Sequence, residues 1–130
     1  MIEPVTTHTL ADSIAAGKPA DGTRALGAVR ATGGAFVIVS DDEILRAIAA
    51  LGTDAAVFAE PAAAAAYAGL ERALEQGHAR ADEEIVVLIT GNGLKDIAAA
   101  TRATGKRAVV IDPSLDALRA ALAEQEGTKS

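Results

Sequence analysis

Residues 83–96 read Glu-Glu-Ile-Val-Val-Leu-Ile-Thr-Gly-Asn-Gly-Leu-Lys-Asp. Residues 84–89 are mostly β-branched, with charged residues before them and a glycine turn after them. This pattern is typical of a buried strand. The four residues from Thr90 to Gly93 predict a sharp turn, and residues 94–104 have helix-forming composition. The stretch therefore predicts a strand, a glycine turn and a helix. In α/β folds, ligands bind at the carboxyl ends of strands, so the turn is a candidate site.

The rest of the chain alternates between short apolar runs and segments of helical periodicity. Further strands are predicted at residues 35–39, 55–59 and 107–111. Helices are predicted at residues 23–31, 40–51 and 62–76, with a terminal helix that starts after Asp112. This alternation predicts one α/β domain over residues 1–130, with three layers and a largely parallel sheet flanked by helices.

Local chemistry predicts where several of these helices begin and end. Ser40 and Glu43 have the spacing of a capping box, and Asp21 is a candidate N-cap for the first helix. Pro61 suits the first turn of the helix that follows it. Gly52 is expected to end the second helix in a left-handed conformation.

Composition limits the possible functions. Ala outnumbers Leu, Ile, Val and Phe together, 32 to 31, so closely packed helices are expected. A net charge of −6 and an aromatic content of 2% argue against nucleic-acid binding. The two histidines, His8 and His78, have no neighbours at ligand spacing, so no metal site is expected. No run of residues is long and apolar enough to predict a membrane span, and none has the charged-then-apolar pattern of a signal segment. We therefore expect a cytoplasmic protein.

Two interpretations of the glycine turn compete. The first is a dinucleotide-binding fingerprint, because Gly91-x-Gly93 follows a strand, opens a helix, and is followed by Asp112 at the end of the next strand. The third glycine of that pattern is replaced by Asp96, whose carboxylate would repel a pyrophosphate at a helix start.

The second interpretation is a family resemblance carried by four segments. Residues 10–14 (Leu-Ala-Asp-Ser-Ile) precede a Gly-Lys-Pro turn, and residues 39–44 read Val-Ser-Asp-Asp-Glu-Ile. Residues 58–66 read Phe-Ala-Glu-Pro followed by five Ala, and residues 90–96 read Thr-Gly-Asn-Gly-Leu-Lys-Asp. In this order they resemble the carboxyl-terminal portion of threonine synthases, pyridoxal-phosphate enzymes of the tryptophan synthase β-like fold. The resemblance covers about residues 7 to 120.

The resemblance implies roles for four residues. Thr90 matches the hydroxyl residue that hydrogen-bonds the pyridine nitrogen of pyridoxal phosphate, which leaves that nitrogen unprotonated. Gly91 would let the turn pass close to the ring. Ser13 falls near the cofactor-lining segment, and Glu60 lies in a glutamate-proline segment beside the active site.

The resemblance also implies an incomplete enzyme. In the family, the Schiff-base lysine and the glycine-rich phosphate loop belong to the first half, and neither segment occurs here. The four lysines are Lys18, Lys95, Lys106 and Lys129; none has the Schiff-base context, and Lys95 is expected to be a surface lysine. No catalytic residue is therefore predicted within this chain.

Three hypotheses remain open. The first is a threonine synthase-like domain that is inactive without a partner amino-terminal half. Its parent reaction would convert O-phosphohomoserine to threonine and phosphate. A serine or threonine dehydratase parent is less consistent with residues 90–96. The second is a non-catalytic α/β module that uses its alanine-rich helix and sheet edge to bind a partner or a second copy. The third is nucleotide binding at Gly91 to Gly93.

Overall fold

The chain forms five α-helices within residues 2–105 and 109–127, the part that this computed structural model describes. They are α1 (Gly22–Ala31), α2 (Asp41–Asp54), α3 (Pro61–Glu75), α4 (Ile97–Thr104) and α5 (Leu115–Gly127). Two single 3-10 turns, Asp12–Ile14 and Gly93–Lys95, lie in the connecting segments. The five predicted helical segments are thus confirmed, although residues 93–95 form a separate turn before α4.

Helix α2 begins at the predicted capping box. The Ser40 hydroxyl accepts a hydrogen bond from the Glu43 amide at 3.3 Å, and the Ser40 amide donates to the Glu43 carboxylate at 2.6 Å. The expected stop at Gly52 is wrong, because α2 continues to Asp54 and the left-handed residue is Ala56, with φ of 54°. A glycine inside a helix costs only about 1 kcal/mol, so an extra turn of backbone hydrogen bonds can outweigh it.

Of the other predictions about helix ends, one is confirmed and one is wrong. Pro61 occupies the first turn of α3, as predicted. The Asp21 prediction is wrong, since the side chain makes no capping bond and instead pairs with Arg24 at 3.5 Å. Asp96 caps α4 by accepting a hydrogen bond from the Ala99 amide at 2.8 Å.

The core lies where α2 packs against α3 and α4. Small side chains fill it, as expected from the alanine content: Ala47 and Ala64 are 0% exposed. Leu74, in the last turn of α3, is 37% exposed and lies outside this core. The buried apolar residues are Ala11, Ile44, Ala47, Ile48, Leu51, Ala59, Ala63, Ala64, Ala68 and Ala99.

The predicted parallel sheet is not confirmed by the described residues. Segments 35–39, 55–59 and 84–89 form no ladder there, and their only pairing is one antiparallel bridge between Ala59 and Asn92. In segment 55–59, Ala55 is the C-cap of α2 and Ala56 is left-handed, so neither has strand geometry. Of segment 107–111, residues 107 and 108 lie outside the described residues.

Side chains in these segments nevertheless alternate as they do in strands. Val39, Val57 and Ile89 pack against the helical core. Their chain neighbours Ile38, Phe58 and Leu88 are exposed, with Ile38 at 89%, and Val110 of the last segment is 95% exposed. We call this exposed set the uncovered apolar residues; it comprises Phe36, Ile38, Phe58, Val86, Leu88 and Val110.

Among the residues described, no helix is long and apolar enough to cross a bilayer.

Candidate functional site

The candidate site is built where two loops meet. The segment 58–60 precedes α3, and the glycine turn 90–93 precedes α4; we call their meeting point the junction. The Glu60 amide donates to the Gly91 carbonyl at 3.1 Å, and the Gly93 amide donates to the Phe58 carbonyl at 2.9 Å. These two bonds flank the bridge of Ala59 and Asn92. The turn that carries Thr90 is therefore attached directly to the amino end of α3.

Each glycine of the turn lies beneath a larger side chain from the opposite segment. A Cβ atom on Gly91 would overlap the Glu60 carboxylate, and one on Gly93 would overlap the Phe58 ring. Neither glycine has a positive φ. A side chain at either position would therefore have to displace Glu60 or Phe58, and a dinucleotide fingerprint is not needed to explain the two glycines.

Glu60 is the charged residue that the junction buries. It is 6% exposed, and its carboxylate pairs with the Lys95 ammonium at 3.2 Å. Lys95 reaches it from the 3-10 turn Gly93–Lys95, whose first turn is capped by the Asn92 side chain accepting from the Leu94 amide. A buried carboxylate is costly unless it is paired, so Lys95 compensates Glu60. The interpretation of Lys95 as a simple surface lysine is thus incomplete.

The junction has a separate pocket on each side. One, of about 190 Å³, is lined mainly by polar residues: Asp12, Ser13, Glu60, Pro61, Ala62, Lys95 and Asp96. The other, of about 280 Å³, is lined by Val57, Phe58, Ile89, Thr90, Gly91 and Asn92. The four predicted cofactor-contacting residues are divided between them, with Ser13 and Glu60 in the first and Thr90 and Gly91 in the second.

Thr90 is exposed at the edge of the second pocket. Its hydroxyl has no hydrogen-bond partner among the described residues, so it is available to a ligand. Ser13 is also exposed, but its hydroxyl donates to the Asp12 carboxylate at 3.3 Å.

Sequence reasoning missed Phe58 and the pairing of Lys95 with Glu60. One signal was present: Phe58 and Glu60 are two residues apart, as are Gly91 and Gly93, which is the spacing of residues on one face of two paired strands. That signal could be recognised only by knowing that the two segments are neighbours.

The Thr90 pocket fits one edge of a pyridoxal phosphate ring. It offers a neutral hydroxyl for the ring nitrogen and the Phe58 ring as an apolar wall. None of its lining residues is cationic, so the phosphate and the covalent attachment would require other groups. Lys95 is engaged on the opposite side of the junction.

One family of known proteins matches most of this chain. Residues 1–91 match the family described as pyridoxal-phosphate dependent enzymes. The chain belongs to this family. Its members depend on pyridoxal phosphate, and the fold family expected from the four segments is thereby supported.

Curated relatives make the similarity more specific. The threonine synthase of Methanocaldococcus jannaschii is 39% identical over 117 residues, which cover 90% of this chain and 29% of the relative. The threonine synthase of Mycobacterium tuberculosis is 42% identical over 95 residues, covering 72% and 26%. That of Methanosarcina acetivorans is 37% identical over 115 residues, covering 88% and 28%. The predicted resemblance to a portion of threonine synthase is confirmed, and the chain spans less than a third of the length of these relatives.

Proposed function

We propose that the chain is the carboxyl-terminal portion of a threonine synthase-type enzyme. The parent reaction would convert O-phosphohomoserine to threonine and phosphate. The observation that carries the proposal is the 39% identity to a threonine synthase over 117 residues, which cover 90% of this chain and 29% of that relative. The available Thr90 hydroxyl beside the Phe58 wall supports it. The cytoplasmic location expected from the sequence is part of the same proposal.

In this proposal the chain's own residues bind and orient one edge of the cofactor. Pyridoxal phosphate, when bound, would supply an electron sink for the amino-acid substrate. Thr90 would donate a hydrogen bond from its hydroxyl to the ring nitrogen, and because the hydroxyl is neutral, that nitrogen would stay unprotonated. Phe58 would cover part of the ring and exclude water. Gly91 holds the turn close to both.

The remaining functions would come from another part of the enzyme. The Thr90 pocket has no lining lysine for covalent attachment and no cation for the phosphate. We therefore propose that the chain alone is inactive and that an amino-terminal half is its partner. The uncovered apolar residues support such a partner, because exposed apolar surface of this kind is characteristic of interaction sites. Binding of the partner would also complete the predicted sheet.

The test is an absorbance titration with pyridoxal phosphate, followed by borohydride reduction and peptide mass mapping. It is performed on the chain alone, and on the chain mixed with the M. jannaschii relative from which the aligned 117 residues have been deleted. We expect saturable cofactor absorbance and phosphate release from O-phosphohomoserine only in the mixture. Saturable labelling of one lysine in the chain alone would contradict its proposed inactivity.

Thr90→Ala tests the assigned role of the hydroxyl in the same mixture. We expect a shifted absorbance band and weaker cofactor binding. The matched control is Thr53→Ala, since the Thr53 hydroxyl only donates to the Ala49 carbonyl within α2. If the two variants behave alike, the contact between Thr90 and the ring nitrogen is wrong.

A second candidate is a non-catalytic module that binds a protein partner or a second copy. The uncovered apolar residues favour it. The alanine-rich helix is not the surface it would use, because Ala63, Ala64 and Ala68 are buried within the core formed by α2, α3 and α4. If this candidate is correct, light scattering should detect a complex in the mixture, but no cofactor absorbance should appear. Self-association of the chain alone would favour a second copy as the partner.

A further inference from the structure

Glu60 stands apart from the other charged residues. Among the described residues it is the only charged side chain that is buried. It does not cap α3 through its side chain, so helix capping does not account for its position. The carboxylate instead lies across Gly91 and pairs with Lys95.

These contacts connect Glu60 to the residue that precedes Gly91. The Glu60 backbone bonds the Gly91 carbonyl, its carboxylate occupies the space above Gly91, and its ion-pair partner lies four residues after Gly91. Moving the carboxylate would therefore release the turn on one side and Lys95 on the other. Thr90 is attached to this turn and is itself exposed.

We propose that Glu60 is a positioning residue: its packing over Gly91 and its ion pair with Lys95 fix the turn that presents the Thr90 hydroxyl. The expected effect on cofactor binding rests on the proposed function, whereas the claim that Glu60 fixes the turn does not. The proposal thus assigns Glu60 a role at a distance from the ring and outside the Thr90 pocket.

The first test measures amide hydrogen exchange in the isolated chain by NMR. The probe is the Gly93 amide, which donates across the junction to Phe58. In Gly91→Ala, whose new methyl group would displace the Glu60 carboxylate, we expect Gly93 to exchange about tenfold faster, the ratio that corresponds to about 1.4 kcal/mol of local stability. In a Glu60→Ala background the same change should add little, because the carboxylate is gone.

The matched control is Gly69→Ala. Gly69 lies in α3 with open space around its Cβ position, so its substitution should leave the Gly93 amide unchanged. Equal acceleration by Gly91→Ala in the wild-type and Glu60→Ala backgrounds would overturn the proposed packing of Glu60 over Gly91.

Lys95→Met tests the ion pair without placing a new group in the junction. The Lys95 side chain is 63% exposed, so the variant is expected to fold. We expect faster exchange at Gly93 and shifted Thr90 and Gly91 resonances. Exchange at buried Ile48 should stay as slow as in the wild type, and Lys95→Arg should restore the exchange rate at Gly93. Unchanged Gly93 exchange would overturn the role of the pair, and so would equal acceleration at Ile48, since that indicates global destabilisation.

The final measurement connects the turn to the cofactor. In the two-polypeptide mixture, Lys95→Met should raise the cofactor concentration needed for half-saturation, and Lys95→Arg should restore it. An unchanged half-saturation would refute the link between the turn and the cofactor. If the mixture shows no cofactor absorbance even with wild-type chain, the proposed function fails, and the exchange results still decide whether Glu60 fixes the turn.

Discussion

The ionisation of Glu43 is linked to contacts that form in the folded chain. One carboxylate oxygen accepts from the Ser40 amide at 2.6 Å and from the Ser40 hydroxyl at 2.7 Å, and the other accepts from Arg72 of α3. The hydrogen bond from the Ser40 backbone, then that from its hydroxyl, and the nearby Arg72 charge lower the pKa of Glu43. The charged form is thus favoured in the folded chain.

Glu43→Gln is predicted to reduce the acid sensitivity of the fold. Because the folded pKa lies below the unfolded pKa, the charged carboxylate stabilises the protein above the unfolded value, and this contribution is lost as pH falls through the folded value. The measurement is urea unfolding from neutral to acidic pH. The stability difference between wild type and variant should shrink toward low pH; a difference independent of pH would contradict the prediction.

At the same scale, sequence reasoning identified the residue types of the site but not their neighbours. Thr90 and Glu60 were both singled out, yet they face different pockets. Lys95 is a surface side chain, 63% exposed, as expected, but its ion pair is not predictable locally because the partner lies 35 positions away along the chain. Contacts of this separation depend on how the elements pack, which local patterns do not encode.

At the scale of elements, the starts of α2 and α4 follow local chemistry, whereas the predictions at Asp21 and Gly52 are wrong. Ser40 and Asp96 both cap a helix by accepting a backbone hydrogen bond. The helices were predictable because their signals lie within a few residues of each end. The strands were not confirmed, since a strand forms a ladder only with a partner that its own residues do not specify.

Ser40→Ala should destabilise the chain by about 0.5–2 kcal/mol, the usual cost of losing an N-cap. The matched control is Asp21→Ala at α1, where no capping bond exists and the exposed pair with Arg24 contributes little. Urea unfolding of both variants checks this. Equal losses at the two positions would show that the Ser40 cap is not the cause.

Ala64→Leu should destabilise the chain by about 1–3 kcal/mol, because the larger side chain overpacks the core where α2 and α3 meet. Ala64 is fully buried there. Ala66→Leu is the control: residue 66 is exposed on the same helix, and Ala and Leu have similar helix propensities. A tolerated Ala64→Leu would mean that α3 can move away from α2 at little cost.

At the scale of the whole molecule, the helical core covers one side of the strand-like segments. Val39, Val57 and Ile89 are packed against it, whereas the uncovered apolar residues face away. The chain also spans less than a third of the length of its curated relatives. Both observations support the proposed amino-terminal partner.

Replacing Ile38, Val86 and Val110 together with Ser should lower the fluorescence of the apolar dye ANS bound to the chain. Stability should change by less than about 0.5 kcal/mol per site, as for ordinary surface substitutions. A triple Ser variant at exposed Val5, Leu115 and Leu122 is the control. Equal loss of fluorescence in both variants would indicate that the dye does not prefer the uncovered apolar residues.

The crowding at the junction has a consequence for the order in which this sequence can change. A side chain at position 91 would have to displace the Glu60 carboxylate, and one at position 93 the Phe58 ring. Shortening of residue 60 or 58 removes the clash, so a path on which that change comes first avoids the crowded intermediate. Across a lineage, the two pairs should evolve as linked characters, each glycine retained for as long as its bulky partner is.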